Sequence, residues 1–305
     1  MSPVPVWIDT DPAVGVAQAD VGDGFALLQA LRSPELEVVG VSTVFGNTDL
    51  GRAHAIAGEL LGVAGALEVP LHRGADSAER LGETTPASDA LTAALERRRL
   101  VVLALGPLTN VATVLVRRPE LVRQIDRVIA VAGRRPGQRF TVGTGANPLG
   151  DFNFECDVPA ATELLSHLGL DLELTGFEVA SHVWLRAPEI ERLRAGPEGA
   201  RWLAEPAERW LEHWHASFGV EGFHPFDTLA VTAAARPELI AAERIDVKIV
   251  GRPAVALESD RGSETPETAV ELHAAPGLSG GRPARYAHRP DPGFRDDLMA
   301  RLLRD

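Results

Sequence analysis

The 305-residue chain has few cysteines and lysines and lacks long apolar runs. Cys156 is the only cysteine, which excludes an intramolecular disulfide and a zinc site built on several thiolates. No segment approaches the ~18 uninterrupted apolar residues of a membrane helix, and MSPVPVWID at the start has no basic region before an apolar one. We therefore expect no signal peptide, no membrane span and a cytoplasmic location.

Positive charge is also scarce. The formal net charge is −13, Lys248 is the only lysine, and the arginines form no basic cluster. Because nucleic acids and anionic membranes are bound through basic patches, this balance argues against both partners and favours a small molecule or a cation. The 45% apolar content indicates a globular protein with a sizeable core, and we predict one domain over residues 1–305.

Short apolar runs alternate with segments of helical period, a pattern typical of α/β proteins with a mostly parallel sheet. Strands are predicted over residues 5–9, 36–44, 100–105, 127–133, 170–176, 244–251 and 253–259. Helices are predicted over residues 24–33, 50–62, 107–118, 157–169, 201–218, 224–240 and 292–304. Segments rich in Gly, Pro and Arg predict loops over residues 134–150 and 276–292.

Four carboxylates lie at or after the end of the first predicted strand: Asp9, Asp11, Asp20 and Asp23. Individually, Asp20 or Asp23 could cap the next helix, and Asp9 could close a turn. Together they would repel one another where solvent is limited, and a bound divalent cation would relieve the repulsion. Oxygen ligands without clustered Cys or His suit a hard ion, so we expect Ca²⁺ or Mg²⁺.

Five segments, in order, carry a resemblance to a known family: IDTDP (8–12), VFGN (44–47), LGPLTNVA (105–112), DFN (151–153) and FDTLAV (226–231). In this order they resemble the inosine-uridine preferring nucleoside hydrolases. The resemblance implies a Rossmann-like α/β fold, a tightly held Ca²⁺ and a homodimer or homotetramer. It also implies hydrolysis of the N-glycosidic bond of a ribonucleoside to free base and ribose.

The resemblance also implies roles for individual residues. The metal ligands would be Asp11, Asp23, Asp227 and the carbonyl of Leu105, and Asp11 would also be the general base. Asp9 would support the loop. Ribose would be bound by Asn47, Asn147, Asp151 and Asn153. This agrees with the chemistry, because anions beneath the sugar stabilise the positive charge that develops as the C–N bond breaks.

Two positions depart from the family pattern. The opening loop carries an insertion, and Gly22 stands where the family has an aspartate that contacts ribose; either Asp20 replaces that carboxylate or the contact is lost. Phe226 stands where the family has a histidine proposed to protonate the leaving base. His224, two residues earlier at the start of a predicted helix, would need a different backbone course to reach the base.

Other residues could assist the leaving base. On the helix predicted over 201–218, His213 or His215 could donate a proton and Trp214 could stack on the base. The alternative is a core stripe formed by Trp202, Trp210 and Trp214, with both histidines facing solvent. His182 and Trp184 are further candidates near a strand end.

Three other functions are considered. Asp9-Thr10-Asp11 mimics the DxD of haloacid-dehalogenase-like phosphatases, but Lys248 comes late and has no partner acidic pair. A dinucleotide-binding oxidoreductase lacks its GxGxxG in the opening loop. A non-catalytic ribosyl-binding protein of the same fold would explain Gly22 and Phe226 but not the retained carboxylates.

Overall fold

The computed structural model describes residues 2–143, 147–251 and 270–304. The strands in these residues are β1 Val4–Thr10, β2 Leu36–Thr43, β3 Leu71–Arg73, β4 Leu100–Ala104, β5 Ile125–Ala130, β6 Phe140–Val142, β7 Asn147–Leu149, β8 Leu172–Leu174, β9 Ile240–Gly251, β10 Val270–Ala275 and β11 Arg282–Pro290. The helices are α1 Gly22–Leu31, α2 Leu50–Val63, α3 Pro86–Arg97, α4 Thr109–Arg117, α5 Phe152–Cys156, α6 Val158–Ser166, α7 Phe177–Ala180, α8 Ala187–Arg194, α9 Glu198–Phe218, α10 Thr228–Ala235 and α11 Phe294–Leu302.

Nine of these strands form one sheet in the order β10-β9-β11-β8-β5-β4-β1-β2-β3. The pairs from β3 through β1 and β4 to β11 are parallel, and β9 is antiparallel to both β11 and β10. The chain runs outward from β1 in one direction and resumes at β4 in the other. This arrangement confirms the predicted Rossmann-like α/β fold and creates a switch point between β1 and β4, where α/β sheets bind ligands.

The central strand β1 is buried on both faces. Val6 and Ile8 pack into one hydrophobic core with Phe25 of α1, whereas Trp7 packs into the other core with Val111 of α4. A strand covered on both sides requires a continuous apolar run, which explains the opening sequence VPVWI. Polar residues begin only where the strand ends, so the carboxylates of this segment collect at one edge of the sheet.

Two predicted loops were wrong. Residues 134–150 contain the β6–β7 hairpin, and residues 276–292 contain β11. The prolines and arginines of β11 obscured its inward-facing Ala284 and Tyr286, and both side chains are buried. The strand predicted over 253–259 lies outside the described residues. No helix in the described ranges is long and apolar enough to cross a membrane.

One predicted helix in the last third of the chain also differs from the structure. The helix predicted over 224–240 is shorter: α10 begins at Thr228 and ends at Ala235, and a short 3-10 helix follows at Pro237–Leu239. His224 therefore lies in the segment before the helix and not at its start. Asp227 directly precedes the first residue of α10, where the positive end of a helix dipole favours a carboxylate.

Candidate active site

The predicted site lies at the switch point of the sheet. Asp9 and Thr10 end β1, and Asp11 is the next residue. Leu105 follows β4, and its backbone N–H donates to the carbonyl of Asp9 at 2.8 Å. The neighbouring ends of β1 and β4 therefore bring the carboxylates of the opening segment beside the LGPLTN segment.

Asp11 and Asp23 share one hydrogen-bond network. Asp11 Oδ2 accepts the backbone N–H of Asn47 at 2.6 Å, and Asp23 Oδ1 accepts the backbone N–H of Asp11 at 3.1 Å. The Thr10 hydroxyl also donates to Asp23 Oδ1, and Asn47 Nδ2 donates to Asp23 Oδ2 at 3.3 Å. Asp11 Oδ1 is fully buried without a hydrogen-bond partner. A buried carboxylate oxygen without a hydrogen-bond partner is unfavourable, and a cation or a hydrogen-bond donor from a ligand would stabilise it.

Glycines allow the backbone to approach these carboxylates closely. A Cβ built on Gly46 would lie 2.0 Å from Asp11 Oδ2, and one built on Gly106 would lie 2.6 Å from Asp11 Oδ1. A Cβ on Gly22 would lie 2.3 Å from Asp227 Oδ2 and 3.3 Å from Asp20 Oδ2. The absence of a side chain at position 22 therefore leaves the space in which Asp20 and Asp227 approach one another.

Burial and mutual repulsion raise the pKa values of the clustered carboxyls. Burial, and then the charge of Asp23, raise the pKa of Asp11 and of Asp227 well above the usual range. The same two causes raise the pKa of Asp20 to about 7, and burial raises the pKa of Asp23 to about 6. Four carboxylates that disfavour one another's ionisation would be stabilised together by a positive charge.

The Asp9 carboxylate connects the end of β1 to Ser42 and Asn110. The Ser42 hydroxyl and Asn110 Nδ2, the latter at 2.8 Å, both donate to Asp9 Oδ1, while Asn110 Oδ1 accepts the backbone N–H of Ala75 at 2.8 Å. Burial raises the pKa of Asp9 to about 7. Sequence reasoning missed Asn110 and Ser42. Asn110 is the last residue of the LGPLTN segment, and its place in that segment could have identified it as a site residue.

The DFN segment lies beside the ends of β4 and β5. Asn153 Nδ2 donates to the carbonyl oxygens of Leu105 at 2.6 Å and Val131 at 3.2 Å, and Asp151 Oδ2 accepts the backbone N–H of Gly133 at 2.8 Å. Burial raises the pKa of Asp151 to about 7. Both side chains are thus buried at the edge of the sheet that holds Asp11.

Asn147 pairs with Val142 in the β6–β7 hairpin. Its side chain lies outside the part of the chain that the structure describes. Its ribose contact stays a prediction.

The donor chemistry fits a hard cation. Within the described residues, no three His, Cys, Asp or Glu side chains form a ready group for a metal ion. Asp11 and Asp23 are held by backbone and amide donors instead. The available atoms are nonetheless all oxygens, one of them buried without a partner, and oxygen ligands are those that Ca²⁺ and Mg²⁺ take.

The predicted leaving-group residues lie on α9. Trp214 is 2% exposed and packs against Trp184, Trp210, Phe218 and His224. This placement supports the core-stripe alternative for the tryptophan. His213 stacks on Trp210 with ring centroids 5.1 Å apart, and exposed His215 lies 3.0 Å from Glu221. The catalytic roles of both histidines stay predictions.

His224 is enclosed beside the same tryptophan. Its Nδ1–H donates to the carbonyl of Val183 at 2.7 Å, and its ring centroid lies 4.0 Å from that of Trp184. Burial lowers the pKa of His224 to about 4. The imidazole is therefore neutral at physiological pH. Phe226 lies next to it and also contacts Phe177, and His182 is exposed.

Burial of the His224 imidazole predicts a destabilising contribution in acid. Unfolded His224 binds a proton near pH 6.5 but the folded chain binds it only near pH 4, so the contribution of His224 to stability falls as pH drops through this window. The buried carboxyls with raised pKa values act in the opposite direction over the same range. We therefore expect the free energy of unfolding of His224→Gln to gain about 2 kcal/mol on that of the wild type between pH 7 and pH 5, at ~1.4 kcal/mol per pKa unit, in urea unfolding at both pH values. The exposed control His215→Gln should show no such gain; a difference between His224→Gln and the wild type that does not change with pH would contradict this assignment.

Comparisons with known proteins identify the family of the chain. The profile of the inosine-uridine preferring nucleoside hydrolases matches residues 6–275. A probable uridine nucleosidase 2 of Arabidopsis thaliana is 27% identical over 265 residues, 77% of this chain and 78% of the relative. The non-specific ribonucleoside hydrolase RihC of Klebsiella pneumoniae is 28% identical over 263 residues, 77% of this chain and 80% of the relative.

Solved structures share the fold. A plant nucleoside hydrolase, the PpNRh1 enzyme, superposes with a TM-score of 0.80 at 22% identity, covering 99% of this chain and 100% of that chain. A purine-preferring ribonucleoside hydrolase from Gardnerella vaginalis has a TM-score of 0.75 at 21% identity, with 98% of each chain covered. The phosphatase and dinucleotide hypotheses find no support here, and Lys248 Nζ instead donates to the carbonyl of Ser279. The chain belongs to the inosine-uridine preferring nucleoside hydrolase family and is an N-glycosyl hydrolase of nucleosides.

Proposed function

We propose that the protein hydrolyses the N-glycosidic bond of ribonucleosides to free base and ribose, with Ca²⁺ bound at the switch point and Asp11 as general base. One observation carries the proposal: Asp11 Oδ1 is fully buried without a partner. The charges of Asp20 and Asp23 act on the same carboxylate. This is the arrangement expected of a carboxylate that binds a cation and contacts the reacting water.

Asp11, Asp23 and Asp227 would hold the cation together with the carbonyl oxygen of Leu105. That carbonyl already accepts Asn153 Nδ2, and its second lone pair remains for a ligand. When bound, Ca²⁺ would supply a positive charge that lowers the pKa of a water and binds the sugar hydroxyls. Mg²⁺ is the less suitable ion, because it demands near-ideal octahedral geometry.

The carboxylates then act on the substrate in two ways. Asp11 takes a proton from the water that attacks the anomeric carbon, while the electron pair of the C–N bond leaves with the base. The buried anions around Asp11 stabilise the oxocarbenium character of the sugar as that bond breaks. Burial strengthens this second effect, because the local dielectric is low.

Sugar recognition is proposed for Asn47, Asn147, Asp151 and Asn153. For Gly22, we propose that Asp20 replaces the missing carboxylate. The support is the short distance of 3.3 Å between Asp20 Oδ2 and the position a Cβ would take at residue 22. The backbone N–H of Gly22 donates to Asp20 Oδ1 at 3.0 Å, which turns the inserted loop back toward the site.

Assistance to the leaving base is proposed for His213 and His215, whereas buried Trp214 packs the helix that carries them against the core. His213 is supported by its half-buried position on Trp210. Neutral, enclosed His224 is the poorer proton donor at physiological pH. An enzyme with weak acid assistance works best on bases that leave readily without a proton.

The reaction can be tested directly by its products. Purine and pyrimidine ribonucleosides, beginning with uridine and inosine, are incubated in ¹⁸O-labelled water without phosphate. We expect free base and ribose, with one ¹⁸O at the anomeric carbon of ribose before exchange. Base released only when phosphate is added, or no base from any nucleoside, would contradict the proposal.

A further inference from the structure

A buried ion pair lies next to the predicted ribose ligand Asp151. Glu155 Oε1 accepts the backbone N–H of Asp151 at 3.1 Å and lies 2.9 Å from the Arg134 guanidinium. The Glu155 and Arg134 side chains are only 5% and 7% exposed. One carboxylate oxygen of Glu155 therefore joins the start of α5 to an arginine from a different part of the chain.

Arg134 is itself fixed by the sheet. Its backbone N–H donates to the carbonyl of Leu272 at 3.0 Å, and its carbonyl accepts the N–H of Ala274 at 2.8 Å, so it bridges to β10. Its guanidinium carbon lies 4.4 Å over the ring centre of Phe140 and one of its nitrogens lies 3.5 Å from Glu271. An arginine held at backbone and side chain gives Glu155 a rigid anchor.

The residue before Arg134 completes the connection to Asp151. Gly133 donates its N–H to Asp151 Oδ2 at 2.8 Å. Asp151 is thus held at its side chain by Gly133 and at its backbone by Glu155. The first contact comes from the segment that follows β5, and the second comes from Glu155 of α5, which Arg134 of that same segment anchors.

We infer that the Arg134–Glu155 pair positions Asp151 for sugar binding. Glu155 is a positioning residue, since its contacts are to Asp151 and Arg134. The inference rests on the proposed function, because it assigns Asp151 to the ribose. It also explains why two charged groups are buried where an apolar pair would be easier to accommodate.

The chain offers a control in a second ion pair, between Arg127 of β5 and Glu173 of β8. Arg127 lies 2.8 Å from Glu173, whose side chain is also 5% exposed. Within the described residues, the Glu173 carboxylate pairs with Arg127 and Arg285 and not with Asp151. Glu173→Ala therefore removes the buried carboxylate of an ion pair between β5 and β8 without removing a contact of Asp151.

The test compares KM and kcat for wild type, Glu155→Ala, Glu155→Gln and Glu173→Ala on the best ribonucleoside. We expect Glu155→Ala to raise KM about 10-fold with kcat changed less than about 3-fold. Glu155→Gln keeps an oxygen acceptor and should restore KM to within about 3-fold of wild type. Glu173→Ala should lower the melting temperature but leave KM unchanged.

A double-mutant cycle shows whether Glu155 acts through Asp151. In an Asp151→Ala background, Glu155→Ala should raise KM by less than about 2-fold, because the group that it positions is gone. An undiminished 10-fold effect in that background, or equal KM values for Glu155→Ala and Glu173→Ala, would overturn the inference. If the wild type hydrolyses no nucleoside, the proposed function fails, whereas an active wild type with either of those results rejects only the positioning role.

Discussion

Asp11→Asn is expected to lower kcat/KM for ribonucleoside hydrolysis by about 10⁴-fold or more, the combined effect of losing a general base and a metal ligand. Asparagine has the same shape as aspartate, and its amide oxygen can still accept the backbone N–H that Asn47 donates to Asp11. It can neither take a proton from water nor contribute a negative charge. The effect should therefore appear in catalysis and not in folding.

The control for this variant is Asp296→Asn on α11, which removes one solvent-exposed carboxylate. Both variants should keep the circular dichroism spectrum of the wild type. Removing the unsatisfied Asp11 carboxylate should even raise the melting temperature measured without metal, because a buried charge is then absent. Wild-type turnover in Asp11→Asn would remove Asp11 from the proposed role.

Gly46→Ala is expected to be the second most damaging change. Gly46 has φ +151°, which L side chains rarely adopt, and its added Cβ would lie 2.0 Å from Asp11 Oδ2. Either the segment of Asn47 or the carboxylate of Asp11 must move, and both contribute to the site. We expect kcat/KM to fall about 100-fold or more, in line with the effect of displacing a reacting group by about 1 Å.

Gly65→Ala provides the comparison for backbone strain alone. Gly65 has φ +68°, but a Cβ there meets nothing within 4 Å. It should cost about 1–2 kcal/mol of stability for the left-handed backbone and leave activity unchanged. Calcium affinity, measured by calorimetry, should fall in Gly46→Ala and stay the same in Gly65→Ala. Equal affinities in the two variants would show that the approach of Gly46 to Asp11 has no functional importance.

The sequence predicted the parts of the fold that local patterns encode. The strands beside the site are buried on both faces and therefore read as continuous apolar runs, and the carboxylates stand directly after them. Asp11 and Asp23 could be placed together because one strand and the following helix carry both. Strand β11 was missed because its buried positions are occupied by Arg282, Ala284 and Tyr286 and not by a run of aliphatic residues.

The contacts that hold the site in place were not predictable from local patterns. Asn110 donates to Asp9 across 101 residues of sequence, and Arg134 reaches Glu155 from a segment expected to be a loop. Such pairs depend on which strands become neighbours, and no short pattern records that. The single domain, the homodimer or homotetramer and the cytoplasmic location stay predictions from the sequence.

The most direct measurement of the central claim is ribose release from the best nucleoside after exhaustive chelation, followed by return of Ca²⁺. Calcium binding to the same samples is measured by calorimetry, with Asp11→Asn and Asp296→Asn in parallel. We predict that chelation abolishes release, that Ca²⁺ restores it with a stoichiometry near one in wild type and Asp296→Asn, and that Asp11→Asn gains no activity. Full release by the metal-free wild type would contradict a calcium-dependent mechanism.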